Sequence, residues 1–145
     1  MSRDYWRTLA VTMSAGVVLG TALSCATQRL AFMDAAVRPA EVAVGKSAVL
    51  TVNLLDRRGA VQRVIATVRE VPELEMELFD DGQDGDDVAG DGVWSIRLDV
   101  PPTAPPGTYH FDIRAYDKAG NELVVENDTG AYVPLRTETS VAIVF

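Results

Sequence analysis

Tyr109-His110-Phe111-Asp112-Ile113-Arg114-Ala115 puts an apolar side chain at every second position, with polar residues between them. A period of two belongs to a strand with one face buried and one in water, whereas a helix repeats every 3.6 residues. The same alternation recurs on both sides of this stretch. Upstream, Ala48, Leu50, Val52 and Leu54 alternate with Val49, Thr51 and Asn53, and Val64, Ala66 and Val68 follow beyond the turn Asp56-Arg57-Arg58-Gly59. Leu74, Met76 and Leu78 alternate with Glu73, Glu75 and Glu77, and Trp94, Ile96, Leu98 and Val100 alternate with Ser95, Arg97 and Asp99. Leu30 to Val37 reads as a first strand, Leu123 to Val125 as a short late one, and Val141 to Phe145 as the last. Pro72, the Pro101 to Gly107 connection and Asp117-Lys118-Ala119-Gly120 supply the breaks. Seven or eight short strands at spacings near ten residues predict an all-β chain, an antiparallel β-sandwich with one wet and one buried face per sheet.

Length and composition agree with one such domain. The chain has 145 residues, of which the first 24 read as an export signal. The remainder suits a single domain of ordinary size, and an apolar content of 48% supplies a core. One Cys and one His exclude an internal disulfide framework and a Cys/His zinc site. The net charge is −8; without Arg3, Arg7 and Asp4 it is −9, from 11 basic and 20 acidic side chains. A surface of that sign repels nucleic acid at long range, so no nucleic-acid partner is expected.

The amino terminus carries the most specific signal. Arg3 and Arg7 precede a stretch from Thr8 to Gln28 without charge, whose apolar centre runs from Leu9 to Leu23. That centre is short for a bilayer span and right for a signal-peptide helix. It ends in Thr21-Ala22-Leu23-Ser24-Cys25, which resembles the lipobox of bacterial lipoproteins, with Ala22 where that pattern usually has Leu. The resemblance implies cleavage before Cys25, lipidation of Cys25 and a place in the bacterial cell envelope, at the outer membrane, cell surface or periplasm. Ordinary cleavage after Ser24 or Ala26, or an uncleaved anchor, are the other readings. The domains are then 1–24 signal peptide, 25–29 tether and 30–145 sandwich. The tether of Ala26 to Arg29 spans under about 20 Å, which keeps the domain near its membrane.

From Val37 to Leu123 the chain resembles bacterial immunoglobulin-like modules of exported proteins. The resembling pieces are Val37 to Val52, the acidic stretch Asp80 to Trp94, Pro105-Pro106-Gly107-Thr108-Tyr109, and Ala115 to Asn121. The resemblance implies an immunoglobulin-like sandwich and no catalytic residue set.

The stretch Asp80 to Gly92 is the one charge constellation. Ten acidic residues lie between Glu70 and Asp91, and no Lys or Arg occurs from Glu70 to Ile96. Glycines between the aspartates let the backbone turn tightly and gather carboxylates, the oxygen donors that calcium takes six to eight of. Against the helix–loop–helix calcium template starting at Asp80, Asp84 falls at position 5, Gly85 at 6, Asp86 at 7 and Asp91 at 12. Gly82 at position 3, Asp in place of Glu at 12, and flanking strands depart from that template. Asp80, Asp84, Asp86 and Asp91 are therefore candidate ligands of an irregular calcium loop, and the alternative is a solvated hairpin of ordinary Asp/Gly turn chemistry. No cofactor is otherwise required.

The remaining candidates point to structure. His110 sits on the polar face of its strand with no nucleophile beside it in the pattern. Trp94 and Tyr109 suit the core, and Tyr116 and Tyr132 suit the surface. The Val141–Phe145 stretch reads as a closing strand, or as an edge strand open to augmentation by a partner. Asn127-Asp128-Thr129 forms a glycosylation sequon that is incidental in a bacterial protein.

The expected function is a non-catalytic binding or structural module at the envelope. Its partners are the membrane, through lipidated Cys25, and an envelope or extracellular protein or polysaccharide. The alternatives are an accessory domain of a secreted enzyme or envelope complex, and a periplasmic chaperone-like sandwich.

Overall fold

A computed structural model describes residues 30–145. The expected signal peptide, the lipidation expected at Cys25 and the expected tether lie outside the described residues. The described chain is all-β. Its strands are β1 (Leu30–Arg38), β2 (Glu41–Ala43), β3 (Ser47–Asp56), β4 (Arg63–Val68) and β5 (Val71–Leu78). They continue with β6 (Val93–Asp99), β7 (Gly107–Tyr116), β8 (Val124–Glu126), β9 (Tyr132–Pro134) and β10 (Arg136–Val144). A three-stranded sheet has the order β1-β3-β6 and a five-stranded sheet the order β2-β10-β7-β4-β5, with β8 and β9 forming a separate hairpin.

The alternation of each long strand dictates what it buries. Leu50 and Val52 of β3, Val64 and Ala66 of β4, Leu78 of β5, Ile113 and Ala115 of β7 are fully buried, and all belong to one hydrophobic cluster fed by both large sheets. Burial of each such side chain is worth about 1.5–3 kcal/mol, so this shared core is the main force closing the two sheets on one another. Trp94 and Tyr109 pack against that cluster only in part. The Tyr109 hydroxyl donates to the Pro105 carbonyl at 2.8 Å, which satisfies its polar end at the rim.

Local chemistry fixes the connections. Asp56 closes the β3–β4 turn by accepting from the Arg58 and Ala60 N–H groups at Oδ1 and from Val61 N–H at Oδ2, at 2.9–3.2 Å. Asn127 does the same in the β8–β9 turn, where its Oδ1 accepts from the Thr129 and Ala131 N–H groups and the Thr129 hydroxyl.

Three expectations are corrected. There are ten strands among the described residues, because β2 and β9 are three-residue strands too short to show a period, and β10 starts at Arg136 rather than Val141. The pairing is antiparallel except between β2 and β10, which run parallel through Ala142–Glu41, Ile143–Val42 and Val144–Ala43. The carboxy-terminal strand is not a free edge. Its last residues pair with β2 through Ala142 to Val144 and with β7 through Ile143, and Phe145 beyond them is 94% exposed. The free edge of the five-stranded sheet on the other side is β5.

Candidate functional site: an acidic lobe on the three-stranded sheet

The connection between β5 and β6 is folded back on the domain. Its base is closed by the Phe79–Ser95 bridge, whose two N–H groups donate to the opposite carbonyls at 2.9 and 2.8 Å, and by Leu54 N–H donating to the Gly92 carbonyl at 2.9 Å. The lobe then lies against the outer face of β3. Gly85, at φ +102°, leaves so little room that a Cβ there would stand 2.6 Å from the Val49 Cγ1. Glycine is required twice over at this point, by conformation and by approach. Ser95 sits on the same outer face and is 1% exposed, although its neighbours along the strand are not.

Within the lobe the backbone wraps around carboxylates. Asp80 Oδ1 accepts from the Gly90 and Asp91 N–H groups at 2.7 and 3.2 Å, and its Oδ2 accepts from Gly92 N–H at 3.0 Å. Asp86 Oδ2 accepts from Gly82 N–H at 2.6 Å, and Asp91 Oδ1 from Val93 N–H at 2.8 Å. Asp80, Asp86 and Asp91 each bring a carboxylate oxygen within 4.8 Å of the other two. Asp84, the fourth candidate from the sequence, is exposed, at φ +49°, and does not join them. The left-handed turn at Asp84 and Gly85 points it outward, a conformation Asp tolerates.

The sequence did not disclose a second feature, an apolar cleft of about 500 Å³. It opens between Val71, Leu74 and Met76 of β5, Leu98 of β6, Pro105 just before β7, and Tyr109 of β7. Leu74 follows the expected alternation yet is 48% exposed, because the two edge strands β5 and β6 touch at the Phe79–Ser95 bridge and the cleft opens beyond it.

The outer face of the five-stranded sheet carries paired charges. Arg69 donates to Asp112 and Glu138 at 2.6 Å, Arg63 to Glu77 at 3.1 Å and Arg136 to Glu122 at 2.6 Å. His110 Nδ1 lies 2.6 Å from Glu70, so the sole histidine is engaged on this face rather than in the cleft. Hydrogen bonds from these partners hold several carboxyls below their ordinary range: Glu70 through His110, Asp112 through Arg69, and Glu122 through Arg136. Asp99 is lowered likewise, first by Ser47 and then by Arg97. A depressed folded-state pKa contributes stability above the unfolded value, near pH 4, that is lost as pH falls through the folded value. The melting temperature should therefore be level from pH 7 to 5 and decline below about pH 4. Arg69→Gln should flatten part of that decline. The change is a few degrees at most, since solvent screens exposed pairs. An acid limb identical in wild type and variant would show that Arg69 carries none of it.

No protein-family model matches the sequence, and no curated protein sequence is significantly similar to it. Among solved structures, the chain is similar to an alkylpurine DNA glycosylase from Pseudomonas fluorescens, AlkC, bound to DNA containing an abasic site analog. The TM-score is 0.40 at 13% identity, over 79% of this chain and 30% of that one. The chain thus spans less than a third of that protein. The expectation that excluded nucleic acid as a partner is corrected here, because the similar structure is itself a complex with DNA. Net charge describes the long-range field and does not decide what a local surface binds. A likeness at this TM-score carries no assignment of DNA binding to this chain.

Proposed function

We propose that residues 30–145 form an immunoglobulin-like β-sandwich serving as a non-catalytic binding or structural module of the bacterial cell envelope, tethered there by lipidated Cys25. The observation that carries this reading is the strand order. Its first two strands divide between the sheets, β1 beside β3 and β2 beside β10, and both sheets feed one core. Such a scaffold is stiff and holds its loops in fixed positions, as presentation to a partner requires. The engagement of His110 with Glu70 on the open sheet face, away from the cleft, supports the same reading.

The anchor rests on the small residues that precede Cys25 and on the uncharged stretch before them. Several acyl chains on one residue hold a protein at a membrane stably, at about 0.8 kcal/mol per buried methylene. The test is the full-length Cys25→Ser variant expressed in a bacterial host with radiolabelled palmitate. The expected result is loss of all label and accumulation of unprocessed precursor. A variant processed and localised like the wild type would remove the lipid anchor from this reading.

A further inference from the structure

We propose that the lobe between β5 and β6 is a calcium-binding site built from Asp80, Asp86 and Asp91. Clustered carboxylates alone do not make such a site. The deciding observation is Asp86. Its side chain is buried, with the residue only 5% exposed, and its Oδ1 has no hydrogen-bond partner. Its Oδ2 is occupied by Gly82 N–H. A buried carboxylate oxygen without a partner costs several kcal/mol unless a cation or a donor meets it. No donor does, and an oxygen of each of Asp80 and Asp91 stands within 4.8 Å of one from Asp86.

Charge balance points the same way. None of the ion pairs among the described residues reaches the lobe. Lys and Arg are absent from Glu70 to Ile96. Three carboxylates packed this closely without a basic residue repel one another, and a divalent cation removes that repulsion.

The donor set selects calcium. Every side-chain donor is an oxygen, which excludes a soft-metal site. The three aspartates come from an irregular loop, and the remaining ligands would be backbone carbonyls and water. Calcium accepts six to eight oxygens in such flexible arrangements, whereas magnesium demands near-ideal octahedral geometry. Asp80 still has an unused acceptor position after taking three N–H groups, and Asp91 keeps more, since a carboxylate offers about four. The site lies between the two ends of the lobe, so an ion there would tie Asp80, at its entry, to Asp91, at its exit.

The experiment uses the full-length chain and calcium itself as the probe. Isothermal titration of the EDTA-stripped protein should give one calcium per chain. Calcium at one hundred times its dissociation constant adds about 2.7 kcal/mol to unfolding, which raises the melting temperature by roughly 10 °C in a domain of this size. Asp86→Asn and Asp91→Asn should each weaken binding at least tenfold. Asp91 is exposed, so its variant tests the site even if the Asp86 variant folds poorly. Asp84→Asn should bind like the wild type. Equal melting in EDTA and in millimolar calcium, with no heat of binding, would overturn the proposal. So would an equal rise with magnesium, or a loss of affinity in Asp84→Asn as large as in Asp91→Asn. None of these readouts depends on Cys25, so failure of the anchor and failure of the site are separable.

Discussion

Leu50→Ala should lower the free energy of unfolding by about 3–5 kcal/mol. Leu50 is fully buried on β3, the middle strand of the three-stranded sheet, with Val37 of β1 beside it on one side and Ile96 of β6 on the other. Two neighbouring strands and its own fix its surroundings, so the space vacated by the side chain cannot close by moving one loop. The loss is then the transfer energy of the missing carbons plus the cost of the cavity. Against a total stability of about 5–15 kcal/mol, the variant should be marginal at 37 °C. Urea unfolding followed by Trp fluorescence would measure it. An unchanged m-value with a lower midpoint is the expected signature. A loss below about 1 kcal/mol would mean that the sheets repack freely across this position, and that the shared core is softer than its burial indicates.

Gly85→Ala should cost about 2–4 kcal/mol, a large effect for one methyl group on a loop. Two terms add. A φ of +102° is foreign to an L side chain and costs about 1–3 kcal/mol. The new Cβ would also stand 2.6 Å from the Val49 Cγ1 and 3.1 Å from its Cγ2, so Val49 or the lobe must move. Overpacking of that kind costs about 1–3 kcal/mol. The double variant with Val49→Ala separates the terms, because it removes the collision and leaves the backbone strain. Recovery of about half the loss in the double variant is expected, and the coupling energy follows from the thermodynamic cycle. There is a ceiling on the effect. Once the strain exceeds the energy that docks the lobe, the lobe will detach and global stability will fall no further. Hydrogen exchange at the Leu54 amide, bonded to the Gly92 carbonyl, would report that detachment. An unperturbed Gly85→Ala variant would show that the lobe does not rest on Val49.

The large strands were legible because they obey a single rule over enough residues. β3 alternates over Ala48–Leu54 and β7 over Tyr109–Ala115, and apart from Tyr109 at the rim their inward positions are those that the structure buries. β2 escaped because Glu41-Val42-Ala43 is too short to show any period, and its partner is the far end of the chain. The first half of β10 escaped for a different reason. Its more buried positions there are Thr137 and Thr139, which do not register as hydrophobic. The acidic site was legible in its composition and in three of its residues. Asp84 does not belong with them, since a linear template assumes a regular turn and the chain reverses at Asp84 and Gly85. Burial of Asp86 and Ser95 was not legible at all. Both depend on the lobe folding back over β3, a contact between Gly85 and Val49 that lies 36 positions apart in the sequence. The apolar cleft was hidden likewise, because alternation along β5 says which way Leu74 points and nothing about what stands opposite.

The parallel contact between β2 and β10 bears on mechanical load. Ala142 N–H donates to the Ala40 carbonyl and Val44 N–H to the Val144 carbonyl, both at 2.9 Å, so the early and late segments of the chain are clasped side by side and run in the same direction. Tension that draws the chain before β2 away from the chain after β10 pulls these strands lengthwise past one another. Their hydrogen bonds then share the force and must rupture together. In an antiparallel hairpin pulled from its open end they would break in succession, like a zip. Under load applied from both sides, this clasp makes the domain a link that resists stretching before it unravels.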